Sequence, residues 1–290
     1  MSLPASFLPP ILPSNATVRR IDFTTTTPPI PEYRNHFALV IDNFLTESEC
    51  KALLQAAEAS TQPDPAANTP DNNDTPPTWE RALVNAGGGR QTVSIDRNCG
   101  RISYNSPIIA QKLFMRLHPI LMDAGIDTVF NQGLITGLGP WKRQEVFRVS
   151  RLNERLSFLR YEGGEFFKPH WDALRETENE KEISLFTTHL YLNGEGEQDL
   201  EELEKAREEA ESMPESTTTE RRGNPSATLL GGATSFQNGF SNKEVVRIFP
   251  KTGSLLIFQQ KGLLHAGDDV YRGVKYTMRT DVLYRKSLRV

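Results

Sequence analysis

Cysteine is nearly absent. The chain has 290 residues and two cysteines, Cys50 and Cys99, far apart and in no paired motif. No disulfide framework holds such a protein together, and a reducing compartment suits it better than a secreted scaffold. Long apolar runs are missing too. The N-terminal stretch "MSLPASFLPPILPSNATVRR" is interrupted by prolines, has no basic region before it and falls short of the roughly 20 residues that span a bilayer. A basic excess is also lacking: the net charge is −4 and the pI about 5.8. Composition therefore points to a cytoplasmic enzyme or binding domain, with no nucleic acid and no membrane as partner. Histidine is scarce, with five in the chain, so each position carries information.

Residues 1–35 are rich in Pro, Thr and Ser and read as an irregular arm. A single domain over residues 36–290 follows. "HFALVIDNFLTESECKALLQAAEAS" reads as a short strand and then a helix, with Thr46 as N-cap, Glu49 three residues on, and Leu53, Leu54 and Ala57 on one face. Prolines, Asn/Asp and a triple glycine predict a long loop over 61–100. "SPIIAQKLFMRLHPILMDAG" returns to helical periodicity through Ile109, Leu113, Leu117 and Leu121, with His118 a structural residue at its end before Pro119.

From about residue 155 the pattern becomes short alternating runs broken by Gly, Asn and Pro, which predicts a β-sandwich or barrel. The segment 194–226 interrupts it. Between Glu195 and Glu211 nine acidic residues stand against Lys205 and Arg207, so this reads as a solvated insertion, an exposed helix or a disordered loop. The 61–100 loop and this insertion are the expected substrate lids.

The chemistry concentrates in "RYEGGEFFKPHWDA". Residues i and i+2 of a strand share a face, so His170 and Asp172 at a strand end aim an imidazole and a carboxylate into one space. A third ligand from another strand would complete a two-histidine, one-carboxylate face on an octahedral ion, the arrangement associated with non-haem Fe(II) oxygenases. His265 in "GLLHAGDDV" follows an apolar strand and is the expected third. His189 lies in an apolar strand with no matching carboxylate and reads as a core histidine, with a substrate contact as the alternative. In "VYRGVKYTMRTDVLYR", Lys275 and Arg279 should share a strand face with Thr277 and Asp281. Cations facing into a barrel require an anion, which a dicarboxylate co-substrate would supply. Arg279 alternatively pairs with Asp281 or another acid.

Taken together, "FALVIDNFLTESEC", "LRYEGGEFFKPHWD", "YLN", "GGATSF" and "GSLLIFQQKGLLHAGDDVYRGVKY" resemble the prolyl-4-hydroxylase-like branch of the Fe(II)/2-oxoglutarate-dependent dioxygenases, over roughly residues 37 to 285. The resemblance implies an α+β protein with a double-stranded β-helix (jelly-roll, cupin-like) core buttressed by N-terminal helices. It implies Fe(II) held by His170, Asp172 and His265, with 2-oxoglutarate and dioxygen consumed and ascorbate as a reductant. Lys275 matches the basic residue that pairs with the far carboxylate of 2-oxoglutarate, and Arg279 would share or replace it. Tyr161 and Tyr191 match tyrosines that line the co-substrate pocket. The implied reaction is oxidation, chiefly hydroxylation, of an unactivated C–H bond with release of succinate and CO2. With no separate peptide-binding domain in the sequence, a small, amino-acid-derived substrate is expected, and a prolyl residue of a protein or peptide is the alternative. A non-catalytic barrel module and a metal hydrolase using the same three residues are readings from other classes.

Overall fold

A computed structural model describes residues 3–4, 6–62, 76–85, 91–177, 181–212, 223–240 and 245–288. Two antiparallel sheets dominate, with few helices, an arrangement consistent with a jelly-roll core. The larger sheet runs in the order Thr17–Arg20, Ala38–Asp42, Leu255–Gln259, Glu182–Tyr191, Val274–Leu288, Arg155–Glu162, Gly100–Asn105 and Glu80–Arg81. The far half of Val274–Leu288 also pairs with Glu145–Leu152. The smaller sheet runs Val245–Ile248, Thr234–Gln237, His265–Gly267, Phe166–His170 and Arg97–Asn98.

Alternation along the central strands of the larger sheet explains how one sheet serves two environments. Met278, Val282 and Tyr284 lie in one buried cluster with Phe158, Phe186 and Leu190. That cluster also takes in Leu53 and Ala57 of the helix Glu47–Ala59 and Ile109, Leu113, Leu117 and Leu121 of the helix Pro107–Asp123. The residues between them, Lys275, Thr277, Arg279 and Asp281, face the smaller sheet. The strand Glu182–Tyr191 divides in the same way, with Thr187 and His189 on the inner face.

The first helix starts as its sequence predicts. Thr46 Oγ1 accepts from the Glu49 amide at 3.2 Å and Glu49 Oε2 accepts from the Thr46 amide at 2.9 Å, a reciprocal capping box. The same carboxylate holds Arg116 of the second helix in a two-pronged ion pair at 2.7 and 2.9 Å. Arg116 is 1% exposed and also donates to the carbonyls of Phe44 and Pro9. One guanidinium thus joins both helices and the N-terminal arm.

The arm is more ordered than its composition suggests. Thr17–Arg20 pairs with Ala38–Asp42 as the outermost strand, and Leu8, Ile21, Phe23, Ile30 and Tyr33 are buried. Prolines exclude a long α-helix here but leave an edge strand, a single 3-10 turn at Pro31–Tyr33 and apolar anchors. Tyr33 reaches furthest: its hydroxyl donates to the Gln237 carbonyl at 2.5 Å and accepts from the Leu264 amide at 3.1 Å, beside His265. The second helix also runs on through Pro119 to Asp123. Pro119 is exposed, where a carbonyl freed by its missing N–H can take solvent.

Within 61–100 the described residues form short strands, among them Glu80–Arg81 and Arg97–Asn98 at sheet edges. Residues 63–75 and 86–90 lie outside the described residues. The acidic insertion carries the helix Leu200–Ser212, on which Arg207 ion-pairs with Glu204 and Glu211. Residues 213–222 lie outside the described residues. Leu200, Leu203 and Arg207 line a hollow with Ala233, Val245 and Tyr271 of the smaller sheet and its surroundings. Of the two expected lids, the 61–100 segment alone contributes, among the described residues, to the cleft described below.

Removing one partner from a buried ion pair strands the other charge, at roughly 3–5 kcal/mol. Arg116→Ala is therefore expected to lower unfolding stability by about 3 kcal/mol or more in urea titration. Thr46→Ala, which removes only the cap, should cost about 1 kcal/mol.

Candidate metal centre

His170 ends the strand Phe166–His170, and His265 begins the strand His265–Gly267. The two residues are direct partners across the antiparallel ladder, which brings their ring centroids to 4.3 Å. Asp172 follows His170 by two residues and returns its carboxylate to the same place. Its Oδ1 lies 3.9 Å from His170 Nε2 and its Oδ2 3.7 Å from His265 Nε2. One donor atom from each of the three residues lies within 4.8 Å of the others, a spread that one ion spans with ligand bonds of roughly 2–2.4 Å.

Hydrogen bonding prepares each donor. His170 Nδ1 is 2.9 Å from the Lys168 carbonyl and His265 Nδ1 is 3.1 Å from the Leu263 carbonyl. Those carbonyls accept only, so each Nδ1 carries the proton and each Nε2 keeps its lone pair for the shared point. Burial, with the neighbouring His265, pushes His170 down to about 3. Burial also lowers His265, against the raising effect of Asp172. Both rings are therefore neutral at pH 7, as metal ligands must be.

Asp172 is the counterweight. Burial alone would raise its pKa, but Arg279, the two histidines and the Thr187 hydroxyl outweigh it and hold the carboxyl below the usual carboxylate range. Thr187 Oγ1 donates to Oδ2 at 2.6 Å and Arg279 Nη2 lies 2.9 Å from Oδ1. Each carboxylate oxygen accepts one protein bond and keeps a lone pair free. Arg279 also ion-pairs with Asp281 at 3.4 Å. Arg279 thus makes the acid pairing that its sequence position allowed, while also lining the inner cavity.

Lys275 differs. It is 1% exposed, and among the described residues no carboxylate lies within ion-pair distance of it. Its Nζ sits 4.9 Å from the Tyr161 ring centroid and 6.0 Å from that of Tyr191, contacts of cation–π type. Burial lowers its pKa to about 8, against the raising influence of Asp268. Asp268 is itself occupied, accepting from Ser235 at 2.5 Å and from Arg247 at 3.0 Å. Gly232 makes room for the lysine stem: its φ is +71°, and a Cβ there would lie 3.0 Å from Lys275 Cδ.

Between Lys275 and the three donors lies a narrow cavity whose wall includes Leu159, Tyr161, His189, Thr234, Phe258 and Ala266. Tyr161 faces it directly, whereas Tyr191 stands behind the wall and donates from its hydroxyl to Thr234 Oγ1 at 2.7 Å. His189 Nε2 in this wall, and Thr277 Oγ1 on the strand face of Lys275 and Arg279, are buried without a hydrogen-bond partner. A second space, a cleft of about 730 Å3, opens outward past His170, Asp172 and Arg279. His170, Phe167, Arg97 and Arg279 border both spaces.

The structure thus brings five of the seven residues singled out in the sequence around one cavity, with Asp172 on the adjoining cleft beside His170 and Tyr191 one layer behind. Thr187 and Arg97 were missed. Thr187 stands two residues before His189 and four before Tyr191 in a strand, a period-2 signal that was available. Arg97 lies in a two-residue strand at a sheet edge and had none.

Two facing antiparallel sheets, in an arrangement consistent with a jelly roll, hold two histidines and a carboxylate that could bind one metal ion. Residues 156–280, which hold all three donors, Lys275 and Arg279, match the profile of the 2OG-Fe(II) oxygenase superfamily. That match, over fewer than half of the 290 residues, supports a 2OG-Fe(II) oxygenase, an oxidoreductase with Fe(II), 2-oxoglutarate and dioxygen as cofactor and co-substrates. None of the curated proteins matches the chain. Among solved structures it is similar to a viral collagen prolyl hydroxylase from Paramecium Bursaria Chlorella virus-1 in a 2-oxoglutarate complex, at 17% identity and a TM-score of 0.42, covering 87% of this chain and 97% of that one. A Pseudomonas putida prolyl-4-hydroxylase gives 17% identity, a TM-score of 0.44 and coverage of 87% and 95%. A Trichoplax adhaerens prolyl hydroxylase bound to a hypoxia inducible factor peptide gives 14%, 0.44, and 88% and 86%.

The residues present fit these groups. The neutral imidazoles and ionised carboxylate suit a ferrous ion, and the unpaired lysine with two unsatisfied polar atoms suits an oxygen-rich anion beside it. Loss of a hydrogen bond to a ligating carboxylate typically costs 10–100-fold in metal affinity. Thr187→Ala is expected to weaken Fe(II) or Mn(II) binding by about that factor in anaerobic titration, with the fold unchanged by circular dichroism.

Proposed function

We propose that this protein is a 2-oxoglutarate-dependent hydroxylase acting on an unactivated C–H bond of a small, amino-acid-derived molecule, built on a double-stranded β-helix that the N-terminal helices buttress. His170, Asp172 and His265 hold Fe(II), and Lys275 pairs with the far carboxylate of 2-oxoglutarate. The observation that carries the reading is Lys275, a buried cation with no carboxylate partner among the described residues, lining the same narrow cavity as two of the three convergent donors, His170 and His265. An uncompensated buried charge is costly, and a ligand anion is what removes the cost.

Fe(II) bound with 2-oxoglutarate and dioxygen supplies the oxidation, in which the oxoacid loses CO2 to give succinate and a substrate C–H bond gains oxygen. Every other contribution comes from the chain. The Lys168 and Leu263 carbonyls fix the tautomers of the two histidines. Thr187 and Arg279 orient Asp172 and keep it ionised. Tyr161, its pKa raised well above the ordinary tyrosine value chiefly by burial, stays a phenol and a hydrogen-bond donor at neutral pH. Leu159, Phe258 and Ala266 keep water from the cavity. His189 Nε2 offers the co-substrate a polar contact: burial and then Lys275 lower its pKa, leaving it neutral.

A small substrate is favoured by the outer cleft. Its volume of about 730 Å3 falls within the roughly 300–1,000 Å3 usual for small-molecule sites.

Anaerobic addition of Fe(II) and 2-oxoglutarate should give the weak visible charge-transfer band of the chelate. His170→Ala should abolish it, and a folded wild-type protein without the band would overturn the reading. Lys275→Ala should raise the 2-oxoglutarate concentration for half-maximal band by about 100-fold, in line with losing a buried charge pair, whereas Arg279→Ala should act on metal affinity. The pH dependence follows from the lysine. The anion binds its protonated form, so affinity holds steady well below pH 8. Above the free protein's value of about 8 it should fall by up to tenfold per pH unit, until the higher pKa of the complex is reached. Affinity that rises with pH would contradict the lysine's role.

A further inference from the structure

The outer cleft carries charge that the protein leaves unbalanced. Its described wall holds four cations, Arg97, Lys168, Arg175 and Arg279, against two carboxylates, Asp96 and Asp172. Asp96 is taken by Lys168 at 3.3 Å and Asp172 by Arg279 at 2.9 Å. Arg97 and Arg175 have no ion pair among the described residues. This surplus belongs to a chain whose net charge is −4, and a bound metal ion would add to it.

Arg97 is the better placed of the two. Its guanidinium lies over the Phe167 ring at 4.6 Å, and that ring stacks on the His170 imidazole at 3.6 Å between centroids with a 19° interplanar angle. Its Nε is buried without a hydrogen-bond partner, and its other polar contacts are a hydrogen bond with the Tyr161 side chain and a long bond from Nη1 to the Leu83 carbonyl at 3.4 Å, neither of which neutralises its charge. The aromatic face restrains the guanidinium, and the N–H groups not used by Tyr161 and Leu83 are available to a planar anion.

The apolar part of the cleft is equally unfinished. Trp171, between the two metal-site residues His170 and Asp172, is 53% exposed, and Phe240 is 61% exposed. Their rings meet edge to face at 5.1 Å and 89°. Two large aromatics presented to solvent beside a reactive centre form a surface for a flat apolar group.

We infer that the substrate is a small carboxylic acid with a planar, aromatic or cyclic body, its carboxylate held by Arg97 and its body resting on Trp171 and Phe240. This rests on the oxygenase reading and names the substrate class of that site. Arg97 selects the acid, Arg175 adds attraction at the mouth, and the aromatic pair sets which face of the body turns toward the metal.

Calorimetric titration of the anaerobic Fe(II)·2-oxoglutarate protein with indole-3-acetate and indole-3-acetamide tests this. The acid should bind at least tenfold more tightly than the amide. Arg97→Gln should bring the two to similar affinity while the charge-transfer band and its 2-oxoglutarate half-saturation stay as in the wild type. Trp171→Ala should weaken both probes alike. The inference falls if acid and amide bind equally, if neither binds, if the preference survives Arg97→Gln, or if that variant needs more 2-oxoglutarate, which would assign Arg97 to the co-substrate. A short peptide amide that binds where indole-3-acetate does not would also overturn it, in favour of a peptide substrate. Failure of the oxygenase reading is distinguishable, because the wild type would then lack the band whatever the calorimetry gave.

Discussion

Asp172 must stay ionised while buried, and much of the surrounding structure is arranged by that requirement. A desolvated carboxylate is tolerated only when opposite charge and hydrogen bonds replace the water it has lost. Here the replacements come from two neighbouring strands of the larger sheet: Arg279 from the last strand and Thr187 from the one beside it. Because Asp172 follows a strand of the smaller sheet and these partners stand on the larger one, the carboxylate also links the two sheets. Arg279 is charged for the same reason: burial alone would lower its pKa, but Asp172 and Asp281 raise it above the ordinary value.

The alternation of strand side chains lets one short stretch serve both the core and the cavity. In Val274–Leu288 the odd-numbered Lys275, Thr277, Arg279 and Asp281 turn inward, while Met278, Val282 and Tyr284 join the helices' apolar cluster. A one-residue slip would bury the cations in hydrocarbon and expose the core, so the register is strongly specified. Anchors far away in sequence protect it. Arg116 ties both helices to the arm, and Tyr33 holds the backbone just ahead of His265.

Cations at the site divide by whether the chain itself neutralises them. Arg279 and Lys168 have carboxylate partners, whereas Lys275 in the inner cavity and Arg97 at its border have none among the described residues. Groups left unpaired in a folded protein at measurable cost mark where ligands complete the structure. Two such cations on either side of His170 are consistent with two anions entering one metal site from different directions, the co-substrate inside and the substrate outside.

How much was legible differs from residue to residue. The His-x-Asp spacing, the distal histidine and the even spacing of Lys275 and Arg279 are local patterns, readable because a strand's period of two determines which side chains share a face. The capping box at Thr46 is equally local. Ladder register is not: that His170 stands opposite His265 is settled by hydrogen bonds between strands 95 residues apart in the chain. The same holds for Arg279, whose choice between a co-substrate and Asp172 depends on a distance no sequence states, and for Arg97, brought to the site by an edge strand of two residues. The Pro-rich arm looked irregular because its composition reports what it cannot form, while its buried residues and edge pairing depend on a sheet supplied by the rest of the chain. The chain's order alone determined which groups were available and how they were phaced along each strand's two faces; the folded sheets decided which of them meet, because burial and charge pairing are properties of neighbours in space.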